Sequence, residues 1–329
     1  MSEFKAFRIH ERDGKVVAGF ETMTVDALTA GEVVIRVRWS SINYKDALAA
    51  TGAGKILRKY PLNGGIDLAG EVESSTDPRY WQGQGVLVTG CQLSESFDGG
   101  YAEYARIAAE SVIPLPTCID ARQAMALGTA GFTAALAIHQ MEKNGQKPAN
   151  GPVVVTGATG GVGSIAVDLL AGRGYEVIAV SGKPAADDYL KALGAKQILR
   201  RQEIDPGKRP MEAARFAGGI DNVGGDLLAW LTRTVDSFGN IASIGLAGSH
   251  KLETTVMPFI LRGINLLGIT SSNTPRELRL TVWQRLSSDL RPRHFDRWVT
   301  RTLAFDELPG AFDAYLKGGV TGRTIVKIG

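Results

Sequence analysis

The sequence predicts an α/β protein in which a doubly wound parallel sheet is inserted into a β-rich domain. Three observations carry that expectation. Strands alternate with helices between residues 125 and 267, the flanks read as strands and turns, and one glycine-rich turn stands at the head of the central segment. A length of 329 residues suits two cores rather than one. The two flanks, 1–124 and 268–329, then complete a single outer domain around the insert.

In the first flank, Glu32–Trp39 alternates with a two-residue period, as a half-buried strand does. Gly64-Gly65, Asp77-Pro78 and Asp98-Gly99-Gly100 punctuate the region as turns. The pattern becomes helical from about Ala121, first over Ala124–Leu127 and then over Thr133–Ile138. In the insert, Val153–Val155 reads as a buried strand, Gly163–Ala171 as a helix and Glu176–Val180 as the next strand. Ala185–Leu193 repeats the helix, and Gly219–Val223 and Gly239–Gly245 are further strands. The last flank finishes on a strand over Arg323–Ile328.

The chemistry concentrates in Val153-Val-Val-Thr156-Gly157-Ala158-Thr159-Gly160-Gly161-Val162-Gly163. A strand that turns sharply into a helix aims the helix's free N–H groups at a pyrophosphate. Gly160 lets the ligand approach the backbone and Gly163 lets helix pack on strand, while Ala158 replaces the usual first glycine. The second strand decides between cofactors. An NAD site ends that strand with Asp or Glu for the ribose 2′-hydroxyl, whereas this chain has Ser181-Gly182-Lys183, which suits a 2′-phosphate. Arg201, or its neighbour Arg200, is placed to close the same pocket. The expected cofactor is NADP(H).

Bulk properties exclude other classes. Hydrophobic residues make up 44% and charged residues 22%, as in globular proteins, and the net charge of +3 gives no electrostatic case for nucleic acid. No apolar run approaches the length of a membrane span, and Met1–His10 lacks the apolar core of a secretory leader, so a cytoplasmic location is expected. Cys91 and Cys118 are expected to be reduced thiols. With four scattered histidines, they supply no metal set. His139 reads as a helix-end residue and Arg291–Arg297 as a surface loop.

On these residues the chain resembles the zinc-free quinone oxidoreductase branch of the medium-chain dehydrogenase/reductase superfamily. The motifs are Asn43-Tyr44-Lys45-Asp46, Gly65–Gly70, Gly99–Tyr104, Gly128–Ala134 and the glycine turn. Trp39–Leu48, Thr156–Ser164 and Val180–Lys183 are most similar to the NADPH-dependent acrylyl-CoA reductases. The resemblance implies a GroES-like catalytic domain around a Rossmann domain, a homodimer, and reduction of acrylyl-CoA to propionyl-CoA. Where zinc relatives carry cysteine and Gly-His-Glu, this chain has Asn43 and Gly65-Ile66-Asp67, and amide and isoleucine cannot replace thiolate and imidazole.

What the resemblance implies for the site is metal-free delivery of hydride to an activated C=C bond. The protein positions the partners and donates hydrogen bonds to the developing oxyanion. Tyr44 is the candidate proton donor or oxyanion partner beside the nicotinamide, with Asn43 and Asp46 as orienting residues. Dinucleotide contacts are expected from Tyr44, Thr133, Thr159, Gly160, Gly161, Val162, Ser181, Gly182, Lys183, Arg201, Leu246, Ile260 and Ser271, with no metal ligand. For the phosphates of an acyl-CoA, Lys55, Arg58, Lys59, Arg276 and Arg279 are candidates. Two other readings stand beside this one: an NADPH:quinone oxidoreductase, and a non-catalytic NADPH-binding sensor.

Overall fold

The computed structural model describes residues 3–329, and the chain separates into two compact units. The first unit holds the chain up to Thr129 together with Ser271–Ser287 and Val299–Gly329. The second holds Ala130–Thr270 and Ser288–Trp298.

The first unit begins with a hairpin of β1 (Phe4–Arg12) and β2 (Lys15–Met23). Asp13 and Gly14 close it with φ of 51° and 72°, the doubly left-handed turn that matches strand twist. β3 (Val33–Ile42) runs three residues beyond the expected alternation because Ser40–Ile42 pair with a C-terminal strand. α1 (Tyr44–Thr51) starts on Asn43 and stops at Gly52, whose φ of 72° ends the helix. β4 (Leu62–Asn63), β5 (Asp67–Ser75), β6 (Gly85–Thr89), β7 (Tyr104–Ile107) and β8 (Ile113–Pro114) follow. α2 (Ala121–Lys143) joins the two helical stretches of the sequence across a break at Gly128, whose backbone is non-helical.

The second unit contains β9 (Val153–Val155), α3 (Gly161–Gly172), β10 (Val177–Ser181), α4 (Asp187–Leu193) and β11 (Gln197–Arg200). It continues with β12 (Phe216–Asp221), α5 (Gly225–Thr234), β13 (Val235–Ser243), α6 (Met257–Arg262) and β14 (Asn265–Gly268). The six strands are parallel in the order β11-β10-β9-β12-β13-β14, the doubly wound arrangement expected. Its direction reverses at β9, so the carboxyl ends of β9 and its neighbours form the crevice where such sheets take ligands. β12 stops two residues before the expected Val223. The Asp221 carboxylate accepts the Thr156 hydroxyl at 2.6 Å and the Gly224 N–H at 2.7 Å, which turns the chain. Val154, Ile178, Leu228, Trp230 and Ile241 fill the core.

The chain then adds α7 (Arg276–Leu286) to the first unit and α8 (Phe295–Trp298) to the second. It closes with β15 (Val299–Ala304), α9 (Phe312–Leu316) and β16 (Arg323–Lys327). β16 lies inside a seven-stranded sheet, between β15 and β3. Arg291–Arg297 lies largely at the surface, as the sequence suggested, but it is anchored. The buried Asp168 carboxylate on α3 accepts the Arg293 and His294 N–H groups and pairs with both side chains, and Trp298 is fully buried. One buried anion requires such partners, and this segment supplies them.

Candidate dinucleotide and active site

The glycine turn has two kinds of glycine. A Cβ on Gly163 would lie 2.3 Å from the Gly157 carbonyl oxygen, so the fold itself requires that glycine. A Cβ on Gly160 would meet only the Gly157 oxygen, at 3.4 Å, an ordinary contact. The protein therefore leaves open space above Gly160, as a backbone that admits a ligand does. Gly160 is the N-cap of α3 and provides no side-chain cap, so the N–H groups of Val162 and Gly163 lack the partner a Ser or Asp would give. Beside this turn the Asn222 Oδ1 is buried and has no partner among the described residues. Thr159 is buried in the turn, and Thr133 is buried on α2. Free N–H groups and open space fit a dinucleotide pyrophosphate, and the orphaned Asn222 oxygen fits a hydroxyl donor such as those of a ribose.

At the end of β10 the Ser181 hydroxyl accepts the Lys183 N–H at 3.0 Å, folding Ser181, Gly182 and Lys183 into one turn. Partial burial lowers the pKa of the Lys183 ammonium. Ser181 pairs in register with Arg200 on β11, so Arg201 follows directly alongside. The structure separates the two arginines. Arg200 is held by both carboxylate oxygens of Asp187, whereas Arg201 is exposed and lines a cavity of about 370 Å³ with Val223, Gly224 and Gly248. Leu246 and Ile260 are exposed in the same unit, Ile260 on α6.

In the first unit Tyr44 opens α1, is 48% exposed, and its hydroxyl has no hydrogen-bond partner among the described residues. The residues around it are the reverse. The Asn43 side-chain amide donates to Asp46 at 3.2 Å and to Asp67 at 2.7 Å, while its oxygen accepts Arg323 at 3.0 Å. Asp46, 1% exposed, also accepts the Asn43 and Ile66 N–H groups. Burial, aided by the nearby Asp67 charge, pushes the Asp46 carboxyl up to about 7. Of the two roles expected for Asn43 and Asp46, orienting the loop or the substrate, these bonds match the first. Every polar atom of the Asn43 side chain is engaged inside the protein, and both residues fix the start of α1.

The hub of this network is Asp67, which the sequence did not single out for any role beyond its motif. It accepts the Ser41 hydroxyl at 2.6 Å, the Asn43 amide, and both the N–H and the hydroxyl of Thr129. Buried Arg323 lies 3.9 Å away and bonds Ser41, Asn43 and the Ile42 and Ala126 carbonyls. Gly128 explains itself here. Its φ is +52°, and a Cβ would fall 2.6 Å from Asp67 Oδ2 and 2.7 Å from Arg323. The Gly128-Thr129 pair was a visible signal, but Arg323 gave none.

Two expected phosphate ligands are corrected. Arg279 is buried on α7 and donates to the Thr89 and Ser271 carbonyls. Arg276 donates to the Ala109, Glu110 and Val112 carbonyls and to Tyr80. Both are structural ties within the first unit. Lys55, Arg58 and Lys59 are exposed. Cys91 and Cys118 are free. Among the described residues no group of three or more His, Cys, Asp or Glu is placed to hold a metal ion.

A six-stranded 3-2-1-4-5-6 sheet with an open glycine cradle, inserted in a β-rich unit, defines the architecture of a nicotinamide-dependent oxidoreductase. Residues 29–117 match the alcohol dehydrogenase GroES-like domain, and residues 161–288 match the zinc-binding dehydrogenase family. The chain is 46% identical to acrylyl-CoA reductase AcuI of Ruegeria pomeroyi, over 97% of this chain and 96% of that one. The crystal structure of the Salmonella enterica yhdH oxidoreductase in complex with NADP superposes with a TM-score of 0.95. It is 46% identical and covers 99% of this chain and 100% of its own. YhfP of Bacillus subtilis, provisionally named a quinone oxidoreductase, is 44% identical over 99% of each chain. Its structure, with NAD bound, gives a TM-score of 0.97 over 100% of each chain at 43% identity. The chain belongs to the medium-chain dehydrogenase/reductase superfamily, in its quinone-oxidoreductase-like branch.

Proposed function

We propose that this protein is an NADPH-dependent, metal-independent reductase of activated C=C bonds that converts acrylyl-CoA to propionyl-CoA. The observation that carries this reading is the end-to-end relation to a protein named acrylyl-CoA reductase. Bound NADPH supplies the hydride to the β-carbon of the thioester. The chain's own residues do the rest. The N–H groups of Gly161 and Val162, with Thr159, hold the pyrophosphate, and Gly160, whose own N–H donates to the Gly157 carbonyl at 3.0 Å, leaves it room. Ser181, Gly182, Lys183 and Arg201 take the 2′-phosphate, and Thr133, Leu246, Ile260 and Ser271 complete the cofactor contacts. Tyr44, whose hydroxyl has no partner among the described residues, donates its phenolic proton to the α-carbon or a hydrogen bond to the developing oxyanion. Asn43 supports the metal-free reading, since its amide is already committed to two carboxylates and an arginine.

NADPH oxidation followed with acrylyl-CoA, crotonyl-CoA and a quinone series tests this directly. Acrylyl-CoA is expected to give the highest kcat/KM, and turnover confined to quinones would replace the reading by the quinone oxidoreductase one, which the YhfP name favours. No turnover with any of them would leave an NADPH-binding sensor. Tyr44→Phe is expected to lower kcat by about 10²-fold with NADPH affinity retained; undiminished kcat removes Tyr44 from proton transfer.

The same reading includes a cytoplasmic homodimer. Phe238, Val256, Met257, Leu261 and Leu266 are exposed apolar residues on and before the edge strand β14, a surface that a second copy would cover. Sedimentation that gives a monomer at micromolar concentration refutes the dimer. No helix among the described residues is long and apolar enough to cross a membrane.

A further inference from the structure

Phe97 is a large aromatic residue held out in water by an unusual turn. It is 42% exposed, yet Gln92, two residues after the left-handed Gly90, has φ of 61° and Ser94 has φ of 59°. The Gln92 carbonyl accepts the N–H groups of Glu95, Ser96 and Phe97, and the Phe97 carbonyl accepts the Ser94 N–H at 2.8 Å. Left-handed conformations at residues with a Cβ persist where the surroundings impose them, and they cluster at ligand sites. Here they fix an apolar ring where burial does not reward it.

One cation faces that ring, and two more lie on the same short loop. The Lys59 ammonium lies 5.8 Å from the Phe97 centroid. The Arg58 N–H donates to the Glu95 carbonyl at 2.7 Å, which ties the Lys55–Lys59 loop to the turn. Lys55, Arg58 and Lys59 are all exposed, and among the described residues none has a carboxylate within ion-pair distance. The carboxylate nearest in sequence, Glu95, is already held by Lys45 at 2.5 Å and by the Ser272 hydroxyl at 3.1 Å. Lys45 is the residue after Tyr44, and Phe97 is two residues from Glu95, at most about 7 Å along the chain. The patch therefore adjoins the segment that presents Tyr44.

We propose that Phe97, with Lys55, Arg58 and Lys59, forms the docking site for the 3′-phosphoadenosine diphosphate end of a CoA thioester. An adenine ring stacks on an exposed aromatic face, and its phosphates match unpaired ammonium and guanidinium groups. This deepens the reductase reading and rests on it, because it names the part of the substrate that lies outside the reacting acyl group. Neither a quinone nor the nicotinamide cofactor's own 2′-phosphate needs this patch; the latter has Ser181, Lys183 and Arg201 in the other unit.

Two measurements test it. In the first, CoA is titrated calorimetrically into protein saturated with NADPH. Wild type is expected to bind, and Lys55→Ala/Arg58→Ala/Lys59→Ala and Phe97→Ala are each expected to weaken binding by about tenfold or more, which equals ~1.4 kcal/mol. Lys208→Ala, an exposed lysine of the second unit, controls for loss of positive charge. Absence of CoA binding to wild type, or equal weakening by Lys208→Ala, overturns the site. In the second, KM is compared for acrylyl-CoA and acrylyl-pantetheine. The same variants are expected to raise KM for the CoA ester only; an equal rise for both esters overturns the site. CoA binding that is lost in the patch variants, without turnover of acrylyl-CoA by wild type, upholds the patch and overturns the reductase reading instead.

Discussion

The two polar centres of this protein follow opposite rules. Around the glycine turn of the second unit, Gly160 caps α3 without a side chain, Asn222 keeps an orphaned oxygen, and space is left above the backbone. Around Asp67 in the first unit, Ser41, Asn43, Thr129 and Arg323 saturate one another, while the Tyr44 hydroxyl beside Asn43 has no partner among the described residues. An unsatisfied centre offers its hydrogen bonds to a ligand. A satisfied one offers rigidity to whatever is attached to it. Binding and positioning are thereby divided between two kinds of site.

That division can be broken most forcefully at Asp67. Asp67→Ala leaves Arg323 buried without its anion and four donors without an acceptor, and is expected to cost about 3–5 kcal/mol in urea unfolding. Asp67→Asn is expected to cost less, because it keeps an acceptor for the Ser41 hydroxyl. A loss below ~1 kcal/mol for Asp67→Ala would show that the network does not support the fold.

The glycines sharpen the contrast inside the binding centre. Gly163→Ala forces a Cβ against the Gly157 carbonyl and is expected to destabilise the protein by about 1–3 kcal/mol. Gly160→Ala is expected to leave stability within about 0.5 kcal/mol while weakening NADPH binding severalfold or more. Equal thermal losses in the two variants would refute the open-space reading of Gly160.

Asp46 gives the comparison a pH dependence. Its folded pKa, about 7, lies above the ordinary value of 3.8, so the folded state binds the extra proton between those pH values. Stability from this group is therefore lost as pH rises through 7. Asp46→Asn does not titrate, so wild type is expected to lose about 1–2 kcal/mol relative to it between pH 6 and pH 9. A constant difference across that range would place the Asp46 proton elsewhere. The smallest effect is expected at Lys183: Lys183→Ala should weaken NADPH about tenfold and change NADH little, read by fluorescence titration. Equal losses for both cofactors would remove Lys183 from the 2′-phosphate.

The open glycine turn was legible in the sequence and the Asp67 network was not, for a physical reason. Gly157–Gly163 and Ser181–Lys183 work through local backbone geometry, and β9, α3 and β10 follow one another along the chain. The Asp67 network joins residues 41, 67, 129 and 323, and no local pattern announces which buried carboxylate will meet which arginine. The same blindness misplaced Arg276 and Arg279, read as candidate phosphate ligands although α7 turns them onto backbone carbonyls. It also left Arg291–Arg297 without its anchor, Asp168, which lies 125 residues before Arg293. Alternation in Glu32–Trp39 gave the strand but not its last three residues, because β16 extends it from far away.

That last pairing sets a timetable for synthesis. β3 and Asp67 leave the ribosome long before β16 and Arg323, yet the sheet that holds them has β16 inside it rather than at an edge. Until Arg323 emerges, the Asp67 carboxylate lacks its buried cation and β3 exposes an unpaired edge. The second unit draws nearly all of its sheet from one contiguous stretch and can condense first. The nascent chain thus holds its cofactor cradle ready while its Tyr44 platform waits for the final strand, and the waiting half is the one that chaperones would be expected to shield.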